Sequence, residues 1–330
     1  MNPPAPFKPA PFKFVMLPPQ DDISRQWAEQ LRVDVPEATV IVAEDEAGAI
    51  AQIADAEACY GFLTPPILAA ARKLRWLQAP FAAPPAGFYY PALIEHPVAV
   101  TNLRDVYNDH IGAHILALVL AFARGLDYYA LAQQRGEWLA AAPRPTVHLP
   151  EATALIVGLG GIGVEAARLL APFGVTVLAT DARRTEPTEG VAELHPAEAL
   201  AEVTPRADFV IVTIPHTPET EGMFDRGFFR RMKPGAFFIN IGRGMTTRLD
   251  DVAAAVDAGG IAGAALDVFE QEPLPGDHPL WRMPNVILTP HAAWRGPYFD
   301  ERRYEIVRDN CRAFARGAPL RNPVDKARWY

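Results

Sequence analysis

The chain has 330 residues, half of them hydrophobic and 21% charged, with a formal net charge of -8 at pH 7. That length suits two domains each burying its own core, and the acidic balance gives no reason to expect nucleic acid or an anionic membrane as a partner. The only cysteines, Cys59 and Cys311, form no C-x-x-C pair; nothing indicates a disulfide framework or a zinc site, and a reducing, cytoplasmic compartment fits. The first nine residues are proline-rich, lack the apolar core of a signal peptide, and read as an extended lead-in. Strands are then expected over 13–17, 39–43, 58–63, 76–78 and 98–101, with helices over 21–31, 46–54 and 66–72 between them. A long helix over 109–124 follows. Its most apolar stretch, 111–123, is too short to span a bilayer and contains His114, so it reads as buried. An irregular arm from Gly125 to Pro150 comes next. Six further strands are expected over 154–157, 176–179, 209–213, 236–240, 263–267 and 286–288, and an amphipathic helix over 298–316 stops at Gly317. Strands alternating with helices imply α/β architecture: two doubly wound parallel-sheet domains, residues 103–295 inserted into a discontinuous domain of 1–102 and 296–330.

The inserted domain opens on Leu155-Ile156-Val157-Gly158-Leu159-Gly160-Gly161-Ile162-Gly163, a G-x-G-x-x-G turn between an apolar run and a helical pattern. In that context the first glycine permits the tight turn. Gly160 lets backbone approach a pyrophosphate, and Gly163 lets helix pack on strand. Gly161 and Ile162 begin the helix whose N-terminal amides would face the phosphates. The next strand ends at Asp181, placed to accept from a ribose diol and to repel a 2′-phosphate, so NAD is the expected cofactor. Arg183 and Arg184 just beyond it could receive such a phosphate and leave NADP possible.

Three residues stand just past later apolar runs: Arg243 in Asn-Ile-Gly-Arg-Gly, Glu272 before Pro273, and His291 after Pro290. Ligands bind at the carboxyl ends of strands in an open parallel sheet, so the three should converge on the edge that holds the cofactor. Their types suit reduction of a 2-keto acid. Arg243 can hold two oxygens in a planar fork and stays charged. An unperturbed imidazole has a reference pKa near neutrality, which makes His291 the natural group to protonate the forming alkoxide, and Glu272 could accept the other ring N–H and orient the ring.

These motifs resemble the D-isomer-specific 2-hydroxyacid dehydrogenase family, which includes glyoxylate/hydroxypyruvate reductases. The resemblance also rests on Pro215-His216-Thr217-Pro218-Glu219-Thr220, Ala265-Leu266-Asp267-Val268-Phe269-Glu270-Gln271-Glu272-Pro273 and Thr289-Pro290-His291-Ala292-Ala293-Trp294, and runs from about Leu74 to Trp294. It implies a Rossmann domain inserted into a flavodoxin-like substrate domain, catalysis by Arg243, Glu272 and His291, and a homodimer built by an arm at about 110–150. It further implies that Thr213, Ile214, Pro215, Thr220, Ile241, Gly242, Asp267 and His291 line the cofactor, Asp267 near the carboxamide. Trp294, close after His291, is expected either to wall the substrate pocket or to pack as a buried side chain.

One stretch departs from the family, which holds the substrate carboxylate with backbone amides of a Gly-Val-Asp-type loop. Here the loop is Ala79-Pro80-Phe81-Ala82-Ala83-Pro84-Pro85-Ala86-Gly87-Phe88-Tyr89-Tyr90, where prolines remove donors and aromatics add bulk. Phe81, Ala82 and Ala83 are the expected remaining amides. His110 and His114 share a helix face at a spacing metals use, but no Glu stands between them and no obvious third ligand accompanies them, so packing or an interdomain contact is expected and no metal. Competing readings stay open: the same scaffold oxidising another small anion such as formate or phosphite, or an NAD(H)-sensing scaffold resembling the C-terminal binding protein corepressors.

Overall fold

The computed structural model describes residues 9–82, 85 and 87–329. Residues 1–8 of the expected lead-in, together with Ala83, lie outside them. The chain divides into two units: one runs to Val106 and resumes at Pro297, and the other is Tyr107–Gly296.

The first unit alternates β1 (Phe12–Met16), α1 (Asp22–Asp34), β2 (Ala38–Val42), α2 (Glu46–Ile53), β3 (Ala58–Tyr60), α3 (Pro65–Ala70), β4 (Trp76–Gln78), α4 (Pro91–Glu95) and β5 (Ala99–Thr101). Every pairing is parallel, in the order β2-β1-β3-β4-β5. The helices start where side chains supply acceptors. Asp21 accepts from Ser24 N at 2.6 Å while Ser24 Oγ accepts from Asp21 N at 2.9 Å, a reciprocal cap. Asp45 caps α2 through Gly48 N at 2.7 Å. β3 ends earlier than the expected residue 63, because Gly61 turns the chain out of the sheet at φ +119°.

In the second unit α5 (Asn108–Arg124) ends at Gly125, which adopts φ +69° and also begins α6 (Leu126–Gln134). The arm is therefore helical at its start and not irregular throughout. The apolar side chains of α6 are not gathered on one face, so its sequence carries little helical periodicity. Then follow β6 (Thr153–Val157), α7 (Gly161–Leu170), β7 (Thr176–Asp181), β8 (Glu193–Pro196), α8 (Leu200–Val203), β9 (Phe209–Val212), α9 (Arg226–Phe229), β10 (Phe237–Asn240), α10 (Leu249–Asp257), β11 (Gly263–Leu266) and β12 (Val286–Leu288). All pair in parallel, in the order β12-β11-β10-β9-β6-β7-β8. Seven strands stand where six were expected. The extra one, β8, is a half-buried edge strand of sequence Glu-Leu-His-Pro and lacks the apolar run that announces an interior strand.

Both faces of this sheet are covered. Ala154 and Ile156 of β6 pack with Phe209, Ile211, Phe237 and the buried face of α5. Leu155 and Val157 point the other way, to Val210, Val212, Phe238 and α10. Burial on both sides explains the unbroken apolar strands in the sequence. The chain then returns to the first unit as α11 (Phe299–Ala315), ended by Gly317 at φ +64°. Among the described residues no single helix is long and apolar enough to cross a membrane; α5 and α6 pass such a test only together, bent by 76°.

Candidate active site

Reversal of strand order between β6 and β9 opens a crevice at the carboxyl edge of the second unit's sheet. The turns leaving those two strands meet there. Thr213 Oγ1 donates to Gly158 O at 2.6 Å, and Gly158, at φ +98°, has Ile214 packed against it. A Cβ on Gly163 would stand 2.1 Å from Gly158 O, so the helix can start this close to the turn only with glycine there. Gly160 and Gly161 are exposed, a Cβ on Gly160 would meet nothing within 4 Å, and no side chain caps α7. The first amides of α7 therefore face open space at the positive end of a helix dipole, which suits a pyrophosphate. Ile162, half-buried, packs toward the core. The residues fit a dinucleotide.

Asp181 ends β7 beside this turn. Its Oδ2 accepts from Leu159 N at 2.7 Å, and its Oδ1 accepts from Arg183 N and Arg184 N, each at 2.8 Å. The carboxylate thus also builds the turn that presents Arg183 and Arg184, both exposed. After β9, Thr220 Oγ1 donates to Pro215 O and accepts from Thr217 N, both at 2.8 Å, which closes the loop into a compact turn. His216 in that loop lies 3.4 Å from Glu221.

The turn after β10 is organised by Asn240, fully buried. Its Oδ1 accepts from Gly242 N at 2.9 Å, and its Nδ2 donates to Thr247 Oγ1 at 2.9 Å and to Arg243 O at 3.3 Å. Ile241 is buried, and Gly242 lies against Ile214 backbone. On Gly244 a Cβ would fall 1.9 Å from Phe269 O, so the Arg243 turn rests directly on the segment leading to Glu272. The Arg243 guanidinium is half-buried and donates to Gly242 O at 2.6 Å; among the described residues no carboxylate pairs with it.

Glu272 spans two groups: Oε1 accepts from Phe269 N at 3.0 Å, and Oε2 lies 2.8 Å from His291 Nδ1. A carboxylate only accepts, so Nδ1 carries the proton and Nε2 is the ring end left for chemistry. His291 sits at φ +49°, a left-handed conformation uncommon for a residue with a side chain. It is held by donating its amide to Asp267 O at 2.8 Å and Thr289 O at 3.0 Å. Asp267, 1% exposed, accepts from Thr289 Oγ1 at 2.5 Å, Ala292 N at 2.8 Å and Ala293 N at 3.1 Å. Trp294 is half-buried and packs beside the core under α5.

Glycine turn, Asp181, 213–220 loop, Arg243 turn, Glu272 and His291 thus line one edge in an unbroken series of contacts. Sequence reasoning named these residues but missed Asn240 and Thr289, which shape the turns through hydrogen bonds. A buried Asn ending an apolar strand was the available signal for the first; nothing local marked the second. Among the described residues no group of three His, Cys, Asp or Glu side chains could hold a metal.

The departing loop belongs to the first unit. The carbonyls of residues 79–82 are all tied: Ala79 O to Gln78 Nε2 at 3.1 Å, Pro80 O to Arg303 at 3.2 Å, Phe81 O to Leu103 N at 2.9 Å and Ala82 O to Asn102 Nδ2 at 2.8 Å. The amides of Phe81 and Ala82 have no partner among the described residues. The expected bulk turns inward: Phe88 and Tyr89 are buried in the unit's core, and Tyr90 donates to Leu63 O at 2.8 Å. Ala83, expected to act with Phe81 and Ala82, lies outside the described residues.

A family model described as D-isomer specific 2-hydroxyacid dehydrogenase, NAD binding domain, matches residues 116–293. A glyoxylate reductase of Korarchaeum cryptofilum is 36% identical over 288 residues, 84% of this chain and 85% of that protein. A glyoxylate/hydroxypyruvate reductase A of Serratia proteamaculans is 35% identical over 205 residues, 62% of this chain and 64% of that one. Among solved structures, a D-isomer specific 2-hydroxyacid dehydrogenase of Xanthobacter autotrophicus, in complex with NADPH and MES, superposes with a TM-score of 0.84. It is 30% identical, covering 97% of this chain and all of that one.

Proposed function

Because the chain belongs to the D-isomer specific 2-hydroxyacid dehydrogenase family and is an NAD(P)-dependent oxidoreductase acting on CH–OH donors, we propose that it reduces a small 2-keto acid of the glyoxylate or hydroxypyruvate kind to the D-2-hydroxy acid. The observation that carries this reading is the His291–Glu272 pair, 2.8 Å apart, on the same sheet edge as Arg243, which has no carboxylate partner among the described residues. Bound at the glycine turn, a nicotinamide dinucleotide supplies the hydride.

The chain's own residues do the rest. Arg243 holds the substrate carboxylate and draws charge from the ketone oxygen, so developing negative charge meets a fixed cation. His291 Nε2 gives its proton to that oxygen as it becomes a hydroxyl, and Glu272 keeps the ring aligned and balances the charge it carries beforehand. In the first unit, the amides of Phe81 and Ala82, which have no partner among the described residues, are our candidates for substrate-binding groups, and we assign that unit the substrate-binding part. Trp294 is our candidate for a wall of the pocket.

For the cofactor we read NADH as preferred, through Asp181, with Arg183 and Arg184 as the groups that let NADPH compete. Thr213, Ile214, Pro215, Thr220, Ile241, Gly242 and Asp267 follow the carboxyl ends of β9, β10 and β11 and are read as the cofactor's lining. We read the protein as a cytoplasmic homodimer. The two free cysteines, both buried, are in keeping with a reducing compartment. The arm presents exposed Leu126, Leu139 and Trp138, the last 96% exposed, as an apolar surface for a second copy.

The test is loss of nicotinamide absorbance, with NADH and NADPH in parallel, over glyoxylate, hydroxypyruvate, pyruvate, phenylpyruvate and longer aliphatic keto acids. Turnover of one small acid, lowered about 10²- to 10⁴-fold in His291→Ala with cofactor binding unchanged, is expected. Full turnover in that variant sinks the mechanism. Silence across the panel with cofactor bound moves the reading to another anion or to a scaffold.

A further inference from the structure

On α5, His110 and His114 stand one turn apart and so share a face. No third ligand joins them among the described residues. What the two rings meet is the loop bearing His291, within the same unit. His114 Nε2 lies 3.2 Å from Thr289 Oγ1, and His110 Nδ1 lies 3.3 Å from Trp294 O. Thr289 and Trp294 bracket His291 in the chain.

The hydrogen-bond directions follow from proton counting. Thr289 has one hydroxyl proton and gives it to Asp267 Oδ1 at 2.5 Å. Its oxygen therefore meets His114 as an acceptor, and His114 carries its proton on Nε2. Trp294 O only accepts, so His110 carries its proton on Nδ1. The result is a one-way chain, His114 to Thr289 to the buried Asp267 carboxylate, which also gathers the amides of Ala292 and Ala293. Those two residues follow His291, whose left-handed backbone persists only where its surroundings over-determine it.

We propose that His114, seconded by His110, is a positioning residue: through Thr289 and Asp267 it straps the His291 loop to α5 and holds the proton donor in register. This rests on the reading of His291 as the proton donor. α5 suits the task, being a 17-residue helix whose buried face packs into the sheet core, so the strap is anchored to a rigid element.

The experiment uses the full chain. His114→Phe, His114→Gln, Thr289→Val and the Phe/Val double variant are assayed for kcat, for KM of the best keto acid and for cofactor affinity, beside His291→Ala. His114→Phe is expected to lower kcat on the order of 10- to 100-fold, the effect of an ångström-scale misplacement, with KM and cofactor affinity within about twofold. His114→Gln, whose amide can donate from a similar place, recovers most of kcat. Thr289→Val breaks the same strap from its far end, so the test survives a misfolded His114→Phe chain. The double variant should be no worse than the poorer single one, because both cut one chain. Multiplying effects, or full kcat in His114→Phe and in Thr289→Val while His291→Ala is inactive, overturn the inference alone. Turnover retained in His291→Ala overturns the underlying reading and the inference together.

Discussion

Arg243, Glu272 and His291 were legible because each combines a chemically capable side chain with a place just past an apolar run. What held them in place was less legible. Asn240 and Thr289 shape the turns through hydrogen bonds to other segments; Asn240 was signalled only by its place at the end of an apolar strand, and nothing local marked Thr289. Gly244 makes the same point sterically. Beside Arg243 it reads as turn punctuation, yet its backbone lies where a Cβ would fall 1.9 Å from Phe269 O. Gly244→Ala must therefore push the Arg243 turn away from the Glu272 segment. Its expected signature is a kcat/KM about 100-fold lower, with a stability loss of about 1–3 kcal/mol from overpacking, read by steady-state assay and urea unfolding. Wild-type kinetics in that variant would show that the two turns need not touch.

Among elements, β7 and the turn after it carry the proposed cofactor preference. Strand, glycine turn and terminal acid appear in order along the chain, so the element was readable. That Asp181 also accepts three backbone amides was not, since those donors come from residues 159, 183 and 184, which only the folded turn assembles. Asp181→Ala removes the charge that repels a 2′-phosphate and frees those amides next to two arginines. The ratio of kcat/KM for NADPH over NADH should rise by about tenfold or more, equivalent to about 1.4 kcal/mol of altered preference. An unchanged ratio would mean that Asp181 serves the turn and not the choice of cofactor. α6 and β8 escaped the sequence reading for a shared reason. One scatters its apolar residues around the helix and the other is polar at a sheet edge, so neither carries the periodicity that marks a buried face.

At the scale of the molecule, the proposed homodimer turns on Trp138, an aromatic side chain left 96% exposed on the arm. Such a side chain is typical of the anchor of an interface. Trp138→Glu should shift a dimer toward monomer in sedimentation velocity at micromolar concentration, while a wild-type protein that sediments as monomer would remove the proposal. By itself the sequence determined the class of architecture, the insertion of one parallel-sheet region into another, the glycine turn and the three side chains proposed to be catalytic. All of these follow from local pattern: apolar runs, glycine spacing, and polar residues at strand ends. Only the tertiary structure decided strand order, which turns touch, and how residues 114, 289 and 267 come to serve the loop of residue 291. Those depend on contacts between segments up to 175 residues apart, and a donor or acceptor has no role until the fold brings its partner within hydrogen-bond reach.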